Sequence, residues 1–158
     1  MNKKFIAVYL ALAAFINITS AQDLNEYLLG NWKMIKSIVD IEEGPLEGKV
    51  DLTDMAEEQL IFNADNTFLI SRKNIENGST QKISGVWVLS EDRDSIVFSN
   101  IKSNPEFKES NLDSEWIIRF KVKKNKLTLF RKASLNNLDD NSKALNQQTN
   151  KMVYVRDN

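Results

Sequence analysis

Past Leu29 the chain alternates apolar and polar residues with a period of two, the spacing of a half-buried strand, and turn-forming residues break the alternation repeatedly. Eight strands are predicted, over 31–39, 59–63, 67–73, 82–89, 95–99, 114–122, 126–132 and 151–156, each rich in aromatic or β-branched residues. A helical turn over 23–29 is expected to precede them, with Asp23 as its N-cap and Gly30 ending it.

Turn chemistry tests the assignment, because residues directly opposite in an antiparallel pair share a face. Centring a hairpin on Asn77-Gly78 sets Phe68 against Trp87, Ile70 against Gly85 and Arg72 against Ile83. A three-residue loop with Asn66 in the left-handed region sets Phe62 against Phe68 and Leu60 against Ile70. The turn at 90–95 pairs Leu89 with Ile96 and Trp87 with Phe98. That at 123–126 pairs Val122 with Leu127, Phe120 with Leu129 and Ile118 with Arg131. All four turns turn one apolar face to the same side. Its members are Leu60, Phe62, Phe68, Ile70, Ile83, Trp87, Leu89, Ile96, Phe98, Trp116, Ile118, Phe120, Val122, Leu127 and Leu129, joined by Trp32, Met34, Met152 and Tyr154. Ile61, Leu69, Val86, Val88 and Phe130 fall on the other side, where β-propensity accounts for them.

Long connections (40–58, 74–81, 100–113 and 133–150) alternate with tight turns. In an up-and-down meander this gathers the long loops at one rim and the turns at the other. The expected architecture is all-β: an eight-stranded antiparallel up-and-down barrel with a short N-terminal helical turn. A flattened barrel or two-sheet sandwich with a packed core is the alternative.

Composition narrows what such a domain does. A basic start (Lys3, Lys4), an apolar run from Phe5 to Ile16 and small residues at Thr19 and Ala21 form a secretory signal peptide over 1–21, leaving one domain over 22–158. The protein is therefore expected to be exported, periplasmic or secreted, with no integral membrane segment after cleavage. There is no cysteine, hence no lipoprotein anchor, disulfide or thiolate. There is no histidine either, which excludes imidazole-based triads and zinc sites. Loss of Lys3 and Lys4 turns 21 basic side chains into 19, against 22 acidic ones, and that small negative balance argues against nucleic acid as a partner. No cofactor or resident metal is expected; Asp51 and Asp54 lie close in sequence but lack the glycine-centred spacing of a calcium loop. No acid pair is placed in the interior by register, so the chain reads as a non-enzyme.

In an even-numbered closed barrel the first strand pairs with the last, which brings Trp32 beside Arg156 as a cation–π pair sealing the floor, with Gly30 letting the chain turn closely beneath it. Gly30-Asn31-Trp32, the final-strand Arg156, Phe62-Asn63-Ala64-Asp65-Asn66-Thr67-Phe68 and Ser84-Gly85-Val86-Trp87 together resemble the lipocalins, and most closely the small lipocalin-like domains of Bacteroidetes-type exported proteins. The chain lacks the Thr-Asp-Tyr of standard lipocalins near 123–126, and no helix packing on the barrel is expected after the last strand. The resemblance implies a barrel and a small hydrophobic or amphipathic ligand.

Arg72 and Arg131 end upward strands on the apolar face, near the open rim. Buried guanidinium needs a partner, and a carboxylate or phosphate is its natural one. One reading has both hold the head group of a lipid-like amphipathic anion whose tail contacts Trp87, Phe98, Trp116 and Phe120. The other has them reach solvent or pair with Glu42, Glu43 or Glu47. The function classes left open are a binding module of this kind and a non-enzymatic interaction domain with a packed core and partner-binding rim loops. Seven basic residues and no acid between Arg119 and Lys132 read either as an anion-binding surface or as lysines that keep a sheet face soluble.

Overall fold

A computed structural model describes residues 24–42, 47–104, 115–135 and 146–157. The expected signal peptide over 1–21, its expected cleavage site and the expected Asp23 cap lie outside the described residues. A short helix α1 (24–28) leads into nine antiparallel strands: β1 (Gly30–Ile41), β2 (Gly48–Asp51), β3 (Ala56–Phe62), β4 (Thr67–Asn74), β5 (Thr80–Leu89), β6 (Ser95–Asn104), β7 (Glu115–Lys123), β8 (Lys126–Leu135) and β9 (Asn146–Arg156). Neighbours in sequence pair from β3 round to β9, and β9 closes on β1 from Trp32↔Arg156 to Ile41↔Gln148. The other edge of β1 is shared: Gly30–Lys33 pair with β3, and Ile38–Ile41 pair with β2. Eight strands therefore close the wall, with β2 riding on the upper half of β1. The sandwich alternative is excluded by this closure.

The inward parity is as the turns require. All nineteen side chains of the expected face lie in the core cluster; Trp32, Leu60, Trp87, Phe98, Leu127 and Tyr154 are among its fully buried members, while Met34, Ile70, Leu89, Val122 and Met152 are partly buried against it. The aromatic rings are in mutual contact: Phe62 meets Trp87 edge-on at 4.9 Å between centroids, Phe68 meets Phe98 at 4.7 Å, and Phe98 reaches Trp116 at 6.5 Å. Such pairs add about 0.5–1.5 kcal/mol each beyond burial. Leu28, Leu29 and Leu24 of the leading segment and Ile101 of β6 complete the cluster and were not expected in it.

Several expectations are corrected. The segment 40–58 is not a loop: β1 continues to Ile41, β2 folds back on it, and a 3-10 turn (Thr53–Met55) leads into β3. Asp51 Oδ1 accepts from Thr53 N at 3.0 Å and from its hydroxyl, and Thr53 Oγ1 in turn accepts from Ser37 N. The same Asp-x-Thr clasp, Asp65 onto Thr67, closes the β3–β4 turn, where Asn66 has φ +62°. Hydrogen bonds from the threonine hydroxyl first, then its amide, hold both carboxyls below the usual range.

The β4–β5 register differs by two residues: Phe68 opposes Gly85, and Arg72 opposes Gln81. The hairpin closes between Asn74 and Ser79 with Ile75–Gly78 as a four-residue loop, so only Gly78 takes positive φ and Asn77 instead caps Ser79 N. A two-residue slip preserves parity, which is why the face survives it. β6 extends to Asn104 because a bulge sets Asn100 (φ +51°) and Ile101 against Gly85. A Cβ on Gly85 would stand 2.5 Å from the Ser99 carbonyl oxygen and 2.9 Å from Phe68. A second bulge lies between Met34 and Lys36 in β1. The β7–β8 ladder stops at Arg119↔Phe130, one step short of the expected Ile118–Arg131 pair, while β8 continues against β9 to Leu135.

The floor is as anticipated and more extensive. The Arg156 guanidinium lies 4.4 Å above the Trp32 ring. Arg156 Nη1 donates to Leu29 O (2.7 Å), Nη2 donates to Tyr27 O, and Trp32 Nε1 donates to Leu28 O (2.8 Å). The carbonyls of Tyr27 and Leu28 at the end of α1, and of Leu29 just beyond it, which a helix end leaves without partners, are thus taken up by the barrel floor. Gly30 (φ +112°) passes so close that a Cβ would lie 2.9 Å from Arg156 Nη1.

Two outcomes follow for urea denaturation. Arg156→Ala loses a stacked cation and two charge-assisted hydrogen bonds and destabilises by about 2–4 kcal/mol, with Arg156→Lys recovering only part. Gly85→Ala destabilises by about 1–3 kcal/mol because the clash is with backbone that cannot rotate away; an unchanged midpoint would contradict the bulge geometry.

Candidate functional site

Above the packed aromatic half, the inner wall becomes polar. The inward parity of β3 continues backward from Phe62 and Leu60 to Glu58, whose side chain is only 1% exposed. Its Oε1 accepts from the Tyr154 hydroxyl and its Oε2 accepts from Arg72 Nε at 2.6 Å, with Arg72 Nη2 also against Oε2. Glu58 and Arg72 are direct cross-strand partners. Tyr154 reaches the same carboxylate from β9, across the position of β1, because the β1–β3 ladder ends at Lys33↔Gln59 and β1 bulges immediately beyond. One buried carboxylate thus ties together three strands at the level where the sheet is irregular.

The energetics favour keeping the network intact. Removing one member of a buried, hydrogen-bonded ion pair leaves the other charge without compensation. Burial pushes the Tyr154 phenol well above its ordinary value, and the neighbouring Glu58 charge and their hydrogen bond push it the same way, with Arg72 opposing. Tyr154 is therefore a donor held in its neutral form.

Arg72 is half-exposed and belongs to Glu58; the expected partners Glu42 and Glu47 do not hold it, and Glu43 lies outside the described residues. Glu42 instead accepts from Thr149. Arg131 lies with its guanidinium 4.6 Å from the Trp116 ring centre, bridging β7 and β8 above the point where their ladder stops. The strand order puts β4 and β8 on opposite walls, so Arg72 and Arg131 are not brought together. Of the four aromatic candidates, Trp87 and Phe98 are 1% exposed within the packed half, while Trp116 and Phe120 lie nearer the surface at 8% and 9%. Trp87 Nε1 and Asn150 Oδ1 are buried and find no hydrogen-bond partner among the described residues. Asn150 is the cross-strand neighbour of Arg131 and shares the inward parity of Met152 and Tyr154.

Asp51 is engaged by Thr53, and among the described residues no group of three or more acidic side chains converges. No helix among the described residues is long and apolar enough to cross a membrane.

Glu58 and Asn150 as interior polar groups escape a reading that starts the second strand at residue 59 and the last at 151, whereas Tyr154 lies on the expected inner face. Both stand among polar neighbours (Glu57-Glu58-Gln59 and Thr149-Asn150-Lys151), so only counting in twos from Leu60 and Met152 reaches them. A buried tyrosine hydroxyl also demands an acceptor, and Glu58 is that acceptor.

Neither a family model nor a curated protein matches the chain.

Alkaline titration tests the network. The Tyr154 value in the folded chain lies above that in the unfolded chain. Its contribution is therefore fully present below the ordinary tyrosine range, near pH 10, and is lost as pH rises beyond it toward the folded value. Tyrosinate absorbance of Tyr154 should appear only with unfolding. Tyr154→Phe should remove that pH dependence and cost about 1.5–3 kcal/mol at neutral pH; a phenol that titrates at its ordinary value in the folded protein would refute the burial of the pair.

Proposed function

We propose that the chain is an exported, non-enzymatic, lipocalin-like binding module that takes a small hydrophobic or amphipathic anion at the mouth of its barrel. The observation that carries this reading is the change of character along the inner wall: a packed aromatic half below, and above it Glu58, Tyr154, Asn150 and the Arg131–Trp116 stack. An apolar base with a few convergent polar groups is the usual make-up of a small-molecule site. Arg131 over Trp116 offers a cation beside an apolar plane, the pairing an amphiphile needs, and Asn150 Oδ1 beside it suits a hydroxyl donor. Arg72 supports the site through Glu58 rather than through the head group. Trp87 and Phe98 form the base on which a short tail rests, with Trp116 and Phe120 at its side. The closed antiparallel barrel and its Trp32–Arg156 floor support the lipocalin-like assignment. The charged and apolar pattern of residues 1–21 supports export to the periplasm or beyond.

The mutual ring contacts of Phe62, Phe68, Trp87 and Phe98 favour a second reading, in which the core is filled and the rim engages a protein partner.

Native mass spectrometry of protein purified from its own cells separates them. A bound species of small-molecule mass, together with a fluorescent fatty acid that loses about tenfold or more affinity in Arg131→Gln, supports the mouth site. A bare mass and an affinity unchanged by that substitution would remove it in favour of the interaction domain.

A further inference from the structure

The outer wall over β7, β8 and β9 carries a second surface that the barrel interior does not use. Outward positions alternate with the core residues Trp116, Ile118, Phe120, Leu127 and Leu129, and they supply Arg119, Lys121 and Lys123 from β7, Lys126 and Lys132 from β8 and Lys151 from β9, all exposed. Between these cations stand two large apolar side chains. Ile117 is 65% exposed, the highest value for a large apolar side chain among the described residues, and Phe130 is partly covered by the Lys121 ammonium 5.8 Å from its ring centre. Ile117, Phe130, Arg119, Lys121 and Lys132 border a shallow depression of about 770 Å³. Acids near this wall are Glu115 at its upper edge, Asp94, which lies 3.6 Å from Arg119 at its lower edge, and Glu42, which accepts from the hydroxyl of Thr149 at the border of the depression.

The overall chain has a formal charge of −1, so six cations on one wall are a local concentration against the average. Keeping a sheet face soluble needs charge, but it does not need an isoleucine projecting from among the charges. A polyanion satisfies the cations and leaves Ile117 and Phe130 against water. A bilayer with anionic headgroups satisfies both, since long lysine side chains reach the headgroups while an apolar side chain between them enters the acyl boundary. We propose that this β7–β9 wall docks the protein peripherally on an anionic phospholipid surface, independently of what the barrel mouth binds.

Sedimentation of the purified protein with vesicles decides it. Vesicles of phosphatidylcholine containing phosphatidylglycerol should retain the protein at low salt, pure phosphatidylcholine vesicles should not, and added salt should weaken retention. Lys121→Glu combined with Lys132→Glu should lower partitioning by about tenfold or more. Ile117→Ser should lower it by a smaller factor that persists as salt is raised. Circular dichroism and the urea midpoint check that the variants keep the fold, as exposed positions allow. Equal retention on both vesicle types, retention on neither, or retention unaffected by the charge reversals would overturn the proposal. Capture on heparin without vesicle binding would assign the wall to a polyanion instead, and association of the protein with itself that the same reversals abolish would assign it to a second copy.

Discussion

Closure of the wall between β1 and β9 is the constraint on which everything else in this barrel rests. An open sheet of these strands would present an apolar face and two unpaired edges to water. Closure buries the one and removes the other. It also sets Trp32 beside Arg156, where a single guanidinium stacks on the indole and donates to the carbonyls of Tyr27 and Leu29. The leading helix is thereby fastened to the last strand, and Leu28 is driven into the core with no exposure at all. Helix, floor and closure are one assembly: each depends on hydrogen bonds or burial that the others supply.

The same wall is irregular where the polar network sits. β1 changes partners from β3 to β2 along one edge, and its bulge falls in the gap between them. Glu58, next to the end of the β1–β3 ladder, pairs regularly with Arg72 of β4, and Tyr154 of β9 reaches its carboxylate where the β1–β3 pairing has stopped. A charged carboxylate in that position is expensive to bury alone and tolerable only when each oxygen is occupied, as both are. The irregular upper half and the regular lower half thus differ in what maintains them: side-chain hydrogen bonding above, aromatic packing below.

How far this was legible in the sequence follows from the physics of parity. Which side chains face inward depends only on counting in twos, so even the misplaced β4–β5 register, wrong by two residues, left the interior correctly assigned. Strand ends were less readable because polar residues continue the alternation without an apolar marker: Glu58, Asn150 and Ser103 look like loop until the neighbouring strand is known to extend. Bulges were invisible for a related reason. Turn counting sets Gly85 opposite Ile70, whereas in the barrel it opposes Phe68 and admits the Ser99 carbonyl within a distance no side chain tolerates. At the site, the arginines were recognisable as interior cations in need of partners, but the partner of Arg72 came from the adjacent strand and not from the acidic connection that seemed nearest.

Arg156 donates to a carbonyl 127 residues earlier in the chain. A contact of that span contributes nothing until almost all of the polypeptide is present, and the entropy of bringing such distant segments together falls on the late stage of folding. Before then the first strand has a neighbour on one side alone and the indole has no lid. A growing chain of this kind stays pliable throughout its synthesis, and it commits to a compact state only when its final ribbon arrives.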